Sequence, residues 1–444
     1  MPEYVVLLSV PGLRGGDVAL MPRLRSLVAG GDWAELAASF PAVTCPVQAN
    51  MTSGLPPSDH GVVANGFYWR DRRQVEMWTS PNDCIERPQL WDILHEQAPG
   101  TTSAVWFPLH SKHAGADYIC TPAPVHNPDG SESLWCYTRP EPLYGELLAE
   151  LGHFPLQHFW GPMANIKSTA WIVSSAIRAA ERWRPNLFYA YLPHLDYAAQ
   201  KFGPDSEQAR RAVVELDAEI GRMVDGFTAA YGAAGVEPLW LVASEYVITP
   251  VDHVLYPNRV LREAGLLKVR AGEDGGEVID FAASDAWALA DHQFSHIFLR
   301  EPSDSLRAQV TELFAGRQGV AEVFAPASAP QYDLAHPRSG ELVVVSQPDS
   351  WQAYYYWLDD AAAPAFARTV DIHRKPGYDP VEMFFDPAAG GIPLDATLVK
   401  GSHGAPAIEP SVRGVLLSSQ RGVFVEGPTA DTDVADIVLR QFGI

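Results

Sequence analysis

A threonine set between two prolines stands out in the run Phe40-Pro41-Ala42-Val43-Thr44-Cys45-Pro46, which leads into a helix-like stretch reaching Thr52 and stopping at Gly54. A hydroxyl at a helix start lies where unpaired N–H groups and the helix dipole favour negative charge. Such a place would hold a phosphate or stabilise a deprotonated Thr44. The same residue type is also an ordinary N-cap, and the window alone leaves both readings open. Further along, Asp291-His292-Gln293-Phe294-Ser295-His296 brings a carboxylate and two imidazoles to the start of a strand. That set can ligate zinc or clamp a phosphate; alternatively, His296 is a strand histidine with its bonds satisfied and His292 a turn residue. The loop Asp371-x-His373-Arg374-Lys375-Pro376 gathers two cations and an imidazole. His373 and Lys375 would there grip the far end of an anionic substrate, or the loop is a solvated surface. His194 would ligate a metal or simply pack. Cys45 has no evident base beside it, which argues against a thiol nucleophile. The run Tyr354-Tyr355-Tyr356-Trp357 reads as core more readily than as a stacking platform.

The elements that must position these groups alternate. Val5 to Val10 is apolar except for Ser9, as in a strand buried on both faces of a parallel sheet. Met21 to Ala29 predicts a helix ending at Gly30-Gly31, and Trp33 to Phe40 a second strand. Ser103 to Phe107 and Asn186 to Leu192 read as strands, Ser168 to Arg182 and Asp205 to Ala230 as helices. Leu239 to Ala243 is a strand running into Ser244-Glu245-Tyr246. Gly414 to Ser419 and a helix from Thr432 to Phe442 close the chain. Strand and helix in alternation predict an α/β, doubly wound and mostly parallel sheet. Residues 62–165 and 264–395 break the rhythm and are expected as insertions forming a cap at the carboxyl edge of a single domain spanning 1–444, where open α/β folds bind ligands.

The bulk numbers narrow the function. A formal net charge of -22 opposes a nucleic-acid polymer as partner. No apolar run reaches the roughly 20 residues of a membrane span. The cysteines, Cys45, Cys84, Cys120 and Cys136, lack CxxC spacing. With no basic, cleavable leader at Met1-Pro2-Glu3-Tyr4, a cytoplasmic location is expected.

Phe40-Pro41-x-x-Thr44-x-Pro46, followed by Thr52-Ser53-Gly54-Leu55-Pro56-Pro57-Ser58-Asp59-His60-Gly61-Val62 and Asn65-Gly66, resembles the nucleophile segment of nucleotide pyrophosphatase/phosphodiesterases of the alkaline phosphatase superfamily. Three further windows follow in that family's order: Tyr191-Leu192-Pro193-His194-Leu195-Asp196 through Gln200-Lys201-Phe202-Gly203-Pro204, then Ser244-Glu245-Tyr246, then Gly401-Ser402-His403-Gly404. With Asp291-His292-Gln293 and His373 to Tyr378 included, the pattern also resembles a bacterial branch of the family that is usually labelled nucleotide pyrophosphatase.

The resemblance implies an alkaline phosphatase-like core, Thr44 as the nucleophile, and two metal ions, usually zinc. Carried over residue by residue, the metal positions fall on Pro11, Thr44, Asp196, Gln200, Glu245, Tyr246 and His403. Pro11 cannot ligate, Gln200 is a neutral and weaker donor, and Glu245-Tyr246 stands where the family has Asp-His. Val47 stands where the family has an asparagine that contacts the phosphoryl group. His292 or His296 would complete a reduced site, and Glu245 would hold a metal or act as an acid/base group. The expectation is a metal-dependent hydrolase of small organic phosphate diesters or monoesters, with one or two ions (zinc, or manganese or magnesium). The competing expectation is a non-catalytic binder that kept the scaffold and lost the two-metal site.

Overall fold

The computed structural model describes residues 4–126, 132–425 and 427–444. Met1, Pro2 and Glu3, part of the segment expected to lead into the first strand, lie outside the described residues. A nine-stranded mixed sheet forms the centre. Its strands in chain order are β1 (Val5–Val10), β2 (Trp33–Ala37), β3 (Ser103–Trp106), β4 (Tyr118–Pro122), β5 (Cys136–Arg139), β6 (Leu187–Tyr191), β7 (Leu239–Ser244), β8 (Gly414–Ser418) and β9 (Thr429–Ala430). Across the sheet they run β9-β2-β8-β7-β1-β6-β3-β4-β5. From β7 to β4 the five central strands are parallel. β8 lies antiparallel to both β7 and β2. The doubly wound α/β expectation is therefore met, with antiparallel strands toward the edges.

The apolar run of β1 explains itself in this setting. Successive side chains alternate between faces. Val6, Leu8 and Val10 enter one core, beneath α2 (Ile166–Trp183) and α4 (Glu207–Gly232), while Val5 and Leu7 enter the core on the other face. The second face is covered by α1 (Thr44–Ser53) and α5 (Asp433–Arg440). Among the described residues no helix is long and apolar enough to cross a membrane.

Residues 62–165 do not stand apart as a cap: β3, β4 and β5 lie inside that stretch and extend the main sheet. The strand expected from Ser103 to Phe107 is β3; β4 and β5 were not read from the sequence. Residues 264–395 carry a separate four-stranded antiparallel sheet, in the order Ala286–Asp291, Phe294–Leu299, Leu342–Ser346, Val320–Phe324. This sheet has its own core, into which Tyr354, Tyr355, Tyr356 and Trp357 are wholly buried. The segment leading into Thr44 is clamped against it. The Phe40 ring lies 5.4 Å from Phe294, 5.0 Å from Tyr332 and 6.1 Å from Phe324, and Val43 joins the same cluster.

Candidate functional site

Thr44 is the first residue of α1, not its N-cap. The cap position belongs to Val43, which offers no side-chain acceptor. The Cys45 amide is satisfied from a distance by Asn65 Oδ1 at 3.0 Å, and Pro46 has no N–H. A helix start was expected to present several amides to an anion; here the Thr44 amide is the one in that first turn left without an acceptor among the described residues. The Thr44 hydroxyl is directed instead at Tyr246, with Oγ1 and Oη 3.0 Å apart.

The strand ends supply the rest, since β1, β6 and β7 are parallel neighbours whose carboxyl ends share one edge. Ser9, the polar break in β1, donates from Oγ to Glu245 Oε1 at 2.6 Å. Gln48, one turn into α1, donates to the same oxygen at 2.7 Å. Glu245 Oε2 is buried with no partner. After β6, α3 (His194–Phe202) presents Asp196 and, one turn on, Gln200. Gln200 Nε2 donates to Asp196 Oδ2 at 2.8 Å, and Tyr246 Oη donates to Asp196 Oδ1 at 3.3 Å. His403 Nε2 lies 3.9 Å from the same Oδ1. His403 Nδ1 meets the Ala42 carbonyl at 2.8 Å and must therefore carry the proton. Nε2 is left as a lone pair without a partner. Gly404 permits this approach: its φ is +111°, and a Cβ there would sit 3.2 Å from both Gln293 N and a Val43 methyl.

Four rings are piled beside the carboxylate. Tyr246 stacks on His403 at 3.5 Å and 6°, His403 lies 3.9 Å from His292, and His292 stacks on Tyr378 at 3.6 Å and 13°. The hydroxyl of Tyr378 donates to Gln200 Oε1 at 2.6 Å. His292 occupies a two-residue turn in the left-handed region, φ +59°, a strained place for a side-chain-bearing residue. Its Nδ1 is 2.6 Å from Asp291 Oδ1. Asp291 also accepts from the backbone and side-chain amides of Asn65 at 2.8 and 3.0 Å. Asn65 thus ties α1 to the inserted sheet.

Burial governs the electrostatics. Thr44 is 4% exposed, Asp196 8%, Glu245 1% and His403 1%. Desolvation pushes Glu245 up to about 8, against the bonds from Ser9 and Gln48, and Asp196 up to about 7, against those from Gln200 and Tyr246. Asp291 rises to about 6 for the same reason. His403 and His292 are held neutral by burial, well below the usual imidazole range. A raised carboxylate means the folded state holds a proton that the unfolded chain gives up near its ordinary value. This contribution to stability is complete at low pH and is lost as pH rises through the folded value. Glu245→Gln removes the titration and keeps the shape. Its stability relative to the natural protein is expected to climb between about pH 5 and pH 9, by on the order of a few kcal/mol. Thermal unfolding across that range checks this; a difference that does not change with pH contradicts a protonated, buried Glu245.

Several expected site residues lie elsewhere. His296 is a satisfied strand histidine: Nε2 faces the Val63 carbonyl at 3.0 Å and Nδ1 accepts from Gly340 at 3.2 Å, so neither nitrogen can serve a metal. His194 points to α4, with Nε2 3.0 Å from Glu215. Lys375 is buried, with Nζ 2.8 Å from Asp379 and 2.6 Å from Glu382, so its charge is neutralised internally rather than offered to a substrate. His373 is exposed, with Nδ1 3.3 Å from the Met77 carbonyl. Cys45 is buried and its thiol is pushed well up by desolvation, so no thiolate forms. Val47 is core. Ser9, Gln48 and Tyr378 were not assigned from the sequence. Ser9 alone left a signal, as a lone polar residue in a doubly buried strand.

The two metal ions that the resemblance implies do not fit this donor set. Zinc needs about four lone pairs at roughly 2.0–2.3 Å. Gln200's oxygen is engaged by Tyr378 and one Glu245 oxygen by Ser9 and Gln48. The phenol of Tyr246 lies between Thr44 and Asp196. Among the described residues no group of three or more His, Cys, Asp or Glu is placed to hold a metal.

Known proteins share this architecture. Phosphonoacetate hydrolase from Sinorhizobium meliloti 1021 superposes with a TM-score of 0.64, covering 99% of this chain and 96% of its own, at 15% identity; that likeness is one of fold. An uncharacterized pyrophosphatase/phosphodiesterase of Schizosaccharomyces pombe is 25% identical over 225 residues, 50% of this chain and 40% of that protein's length. The chain thus matches well under half of that relative. The model of the type I phosphodiesterase / nucleotide pyrophosphatase family matches residues 5–379. Because that match spans well over half of its length, the chain belongs to the type I phosphodiesterase / nucleotide pyrophosphatase family.

Proposed function

We propose that this chain hydrolyses phosphoesters with Thr44 as its nucleophile. The observation that carries the reading is the continuous line of hydrogen bonds from Thr44 Oγ1 through Tyr246 Oη to Asp196 Oδ1. Thr44 Oγ attacks phosphorus as its proton passes to Tyr246, whose own proton moves to Asp196. The P–O bond to the leaving alcohol breaks. Glu245, protonated at neutral pH, supplies the proton that alcohol needs from its unpartnered oxygen. Water then releases the phosphoryl group from Thr44 and restores both proton carriers. Members of this family typically depend on metal ions; every step of this route uses only the chain's own side chains and water. The substrate class is a small organic phosphate diester or monoester.

A second reading, binding without turnover, has one specific observation behind it: the cluster is buried, and a phosphoester reaches Thr44 only if the residues around it move. Release of nitrophenolate from bis(p-nitrophenyl) phosphate by the natural protein, Thr44→Ala and Thr44→Ser separates the two. Turnover that vanishes with Thr44→Ala supports the hydrolase. Turnover that survives it removes Thr44 from the chemistry, and no turnover by any of the three favours the binder.

A further inference from the structure

The geometry points to Tyr246 as the group that has taken the place of a metal: we infer that this centre holds no resident divalent cation, and that a phenol fixes the Thr44 hydroxyl instead. The inference deepens the proposed role of Thr44 and is tested separately from it. Three features carry it.

First, the phenol oxygen lies where an ion bridging the nucleophile and the carboxylate would have to lie, 3.0 Å from Thr44 Oγ1 and 3.3 Å from Asp196 Oδ1. An ion with bonds of about 2 Å to both oxygens has no room beside it. Second, the surrounding lone pairs are already engaged. Asp196 Oδ2 accepts from Gln200, Gln200 Oε1 accepts from Tyr378, and Glu245 Oε1 accepts from Ser9 and Gln48. The two buried atoms of this cluster without partners, His403 Nε2 and Glu245 Oε2, fall short of a zinc coordination shell. Third, the imidazole of His403 is pinned on both faces, by Tyr246 at 3.5 Å and His292 at 3.9 Å. It cannot swing to complete a site without unpacking the four-ring pile.

A phenol does part of what a cation does. Its oxygen accepts from Thr44 while its proton goes to Asp196, which orients the nucleophile's lone pair. It adds no positive charge, so the acidity of Thr44 is left to the proton relay.

The test is metal content. The natural protein, expressed in cells supplied with zinc and manganese and purified without chelator, is analysed by inductively coupled plasma mass spectrometry. Zinc binding is then followed by isothermal titration calorimetry. The expected result is metal far below one ion per chain and no saturable zinc site. The same measurements on Gln200→His/Tyr246→His, which places two imidazoles beside Asp196 and His403, are expected to show about one zinc per chain, the number that one four-ligand site holds. Stoichiometric zinc in the natural protein, lost on Asp196→Asn, overturns the inference. If the double variant does not fold, the natural protein's content decides alone. A metal-free protein that fails to hydrolyse any nitrophenyl ester sinks the Thr44 reading and leaves this inference standing; a metal-loaded, active protein does the reverse.

Discussion

Thr44→Ala is expected to slow hydrolysis of bis(p-nitrophenyl) phosphate by about 10³-fold or more, because the covalent route disappears with its nucleophile. The change itself is gentle on the fold. Thr44 does not cap its own helix, since Val43 holds that position, and its hydroxyl bonds only within the cluster. Lost activity with unchanged unfolding temperature is therefore the expected pair of results. Thr44→Ser keeps an oxygen at the same place and is expected to retain measurable turnover. Tyr246→Phe keeps the ring stacked on His403 but breaks the relay to Asp196. It is expected to cost about 10²-fold, the low end of what a positioned proton carrier contributes. Steady-state rates at saturating ester read all three.

Lys375→Met is expected to destabilise the fold by about 3–5 kcal/mol, because it leaves two carboxylates buried without their counter-ion. The ammonium lies 2.8 Å from Asp379, 2.6 Å from Glu382 and 2.9 Å from the Thr369 carbonyl, and the side chains of Lys375, Asp379 and Glu382 are each 1% exposed. Glu382 also accepts from the Trp160 indole and the Asp371 amide, and Asp379 caps Val381. Removing the cation therefore loosens the whole segment from Thr369 to Met383, from which Tyr378 reaches Gln200. Adding Asp379→Asn and Glu382→Gln to Lys375→Met keeps the acceptors and removes the charges, and is expected to recover much of the loss. Urea unfolding of the single and triple variants measures both. A single variant as stable as the natural protein, with weaker substrate binding instead, would return Lys375 to the role of a substrate clamp.

What the sequence made legible was local. The apolar strand Val5–Val10, the long helix Glu207–Gly232 and the window around Thr44 each announce themselves within a dozen residues, and the structure places them within two residues of the expected ends. Asp196, Glu245 and His403 were reached only through the windows that resemble the family. The pairings that define their chemistry were not legible. Ser9 and Glu245 are 236 residues apart, and Asn65 and Asp291 226, and no periodicity links such pairs. Lys375 is the opposite case. Asp379 and Glu382, four and seven residues on, were in plain view in the same stretch. Reading the two cations as a substrate grip overlooked that a buried ammonium draws the nearest carboxylates to itself. Of the two readings left open for Asp291 to His296, the strand reading holds for His296, whose ring nitrogens meet the Val63 carbonyl and the Gly340 amide, while His292 joins the cluster.

That the phosphoryl group passes through the oxygen of Thr44 is tested most directly by trapping it. Protein mixed with bis(p-nitrophenyl) phosphate, quenched in acid within the first turnover and digested for tandem mass spectrometry, is predicted to carry one aryl phosphoryl group on the peptide containing Thr44. No adduct should form in Thr44→Ala. Turnover with no adduct, or an adduct on any other side chain, would contradict it.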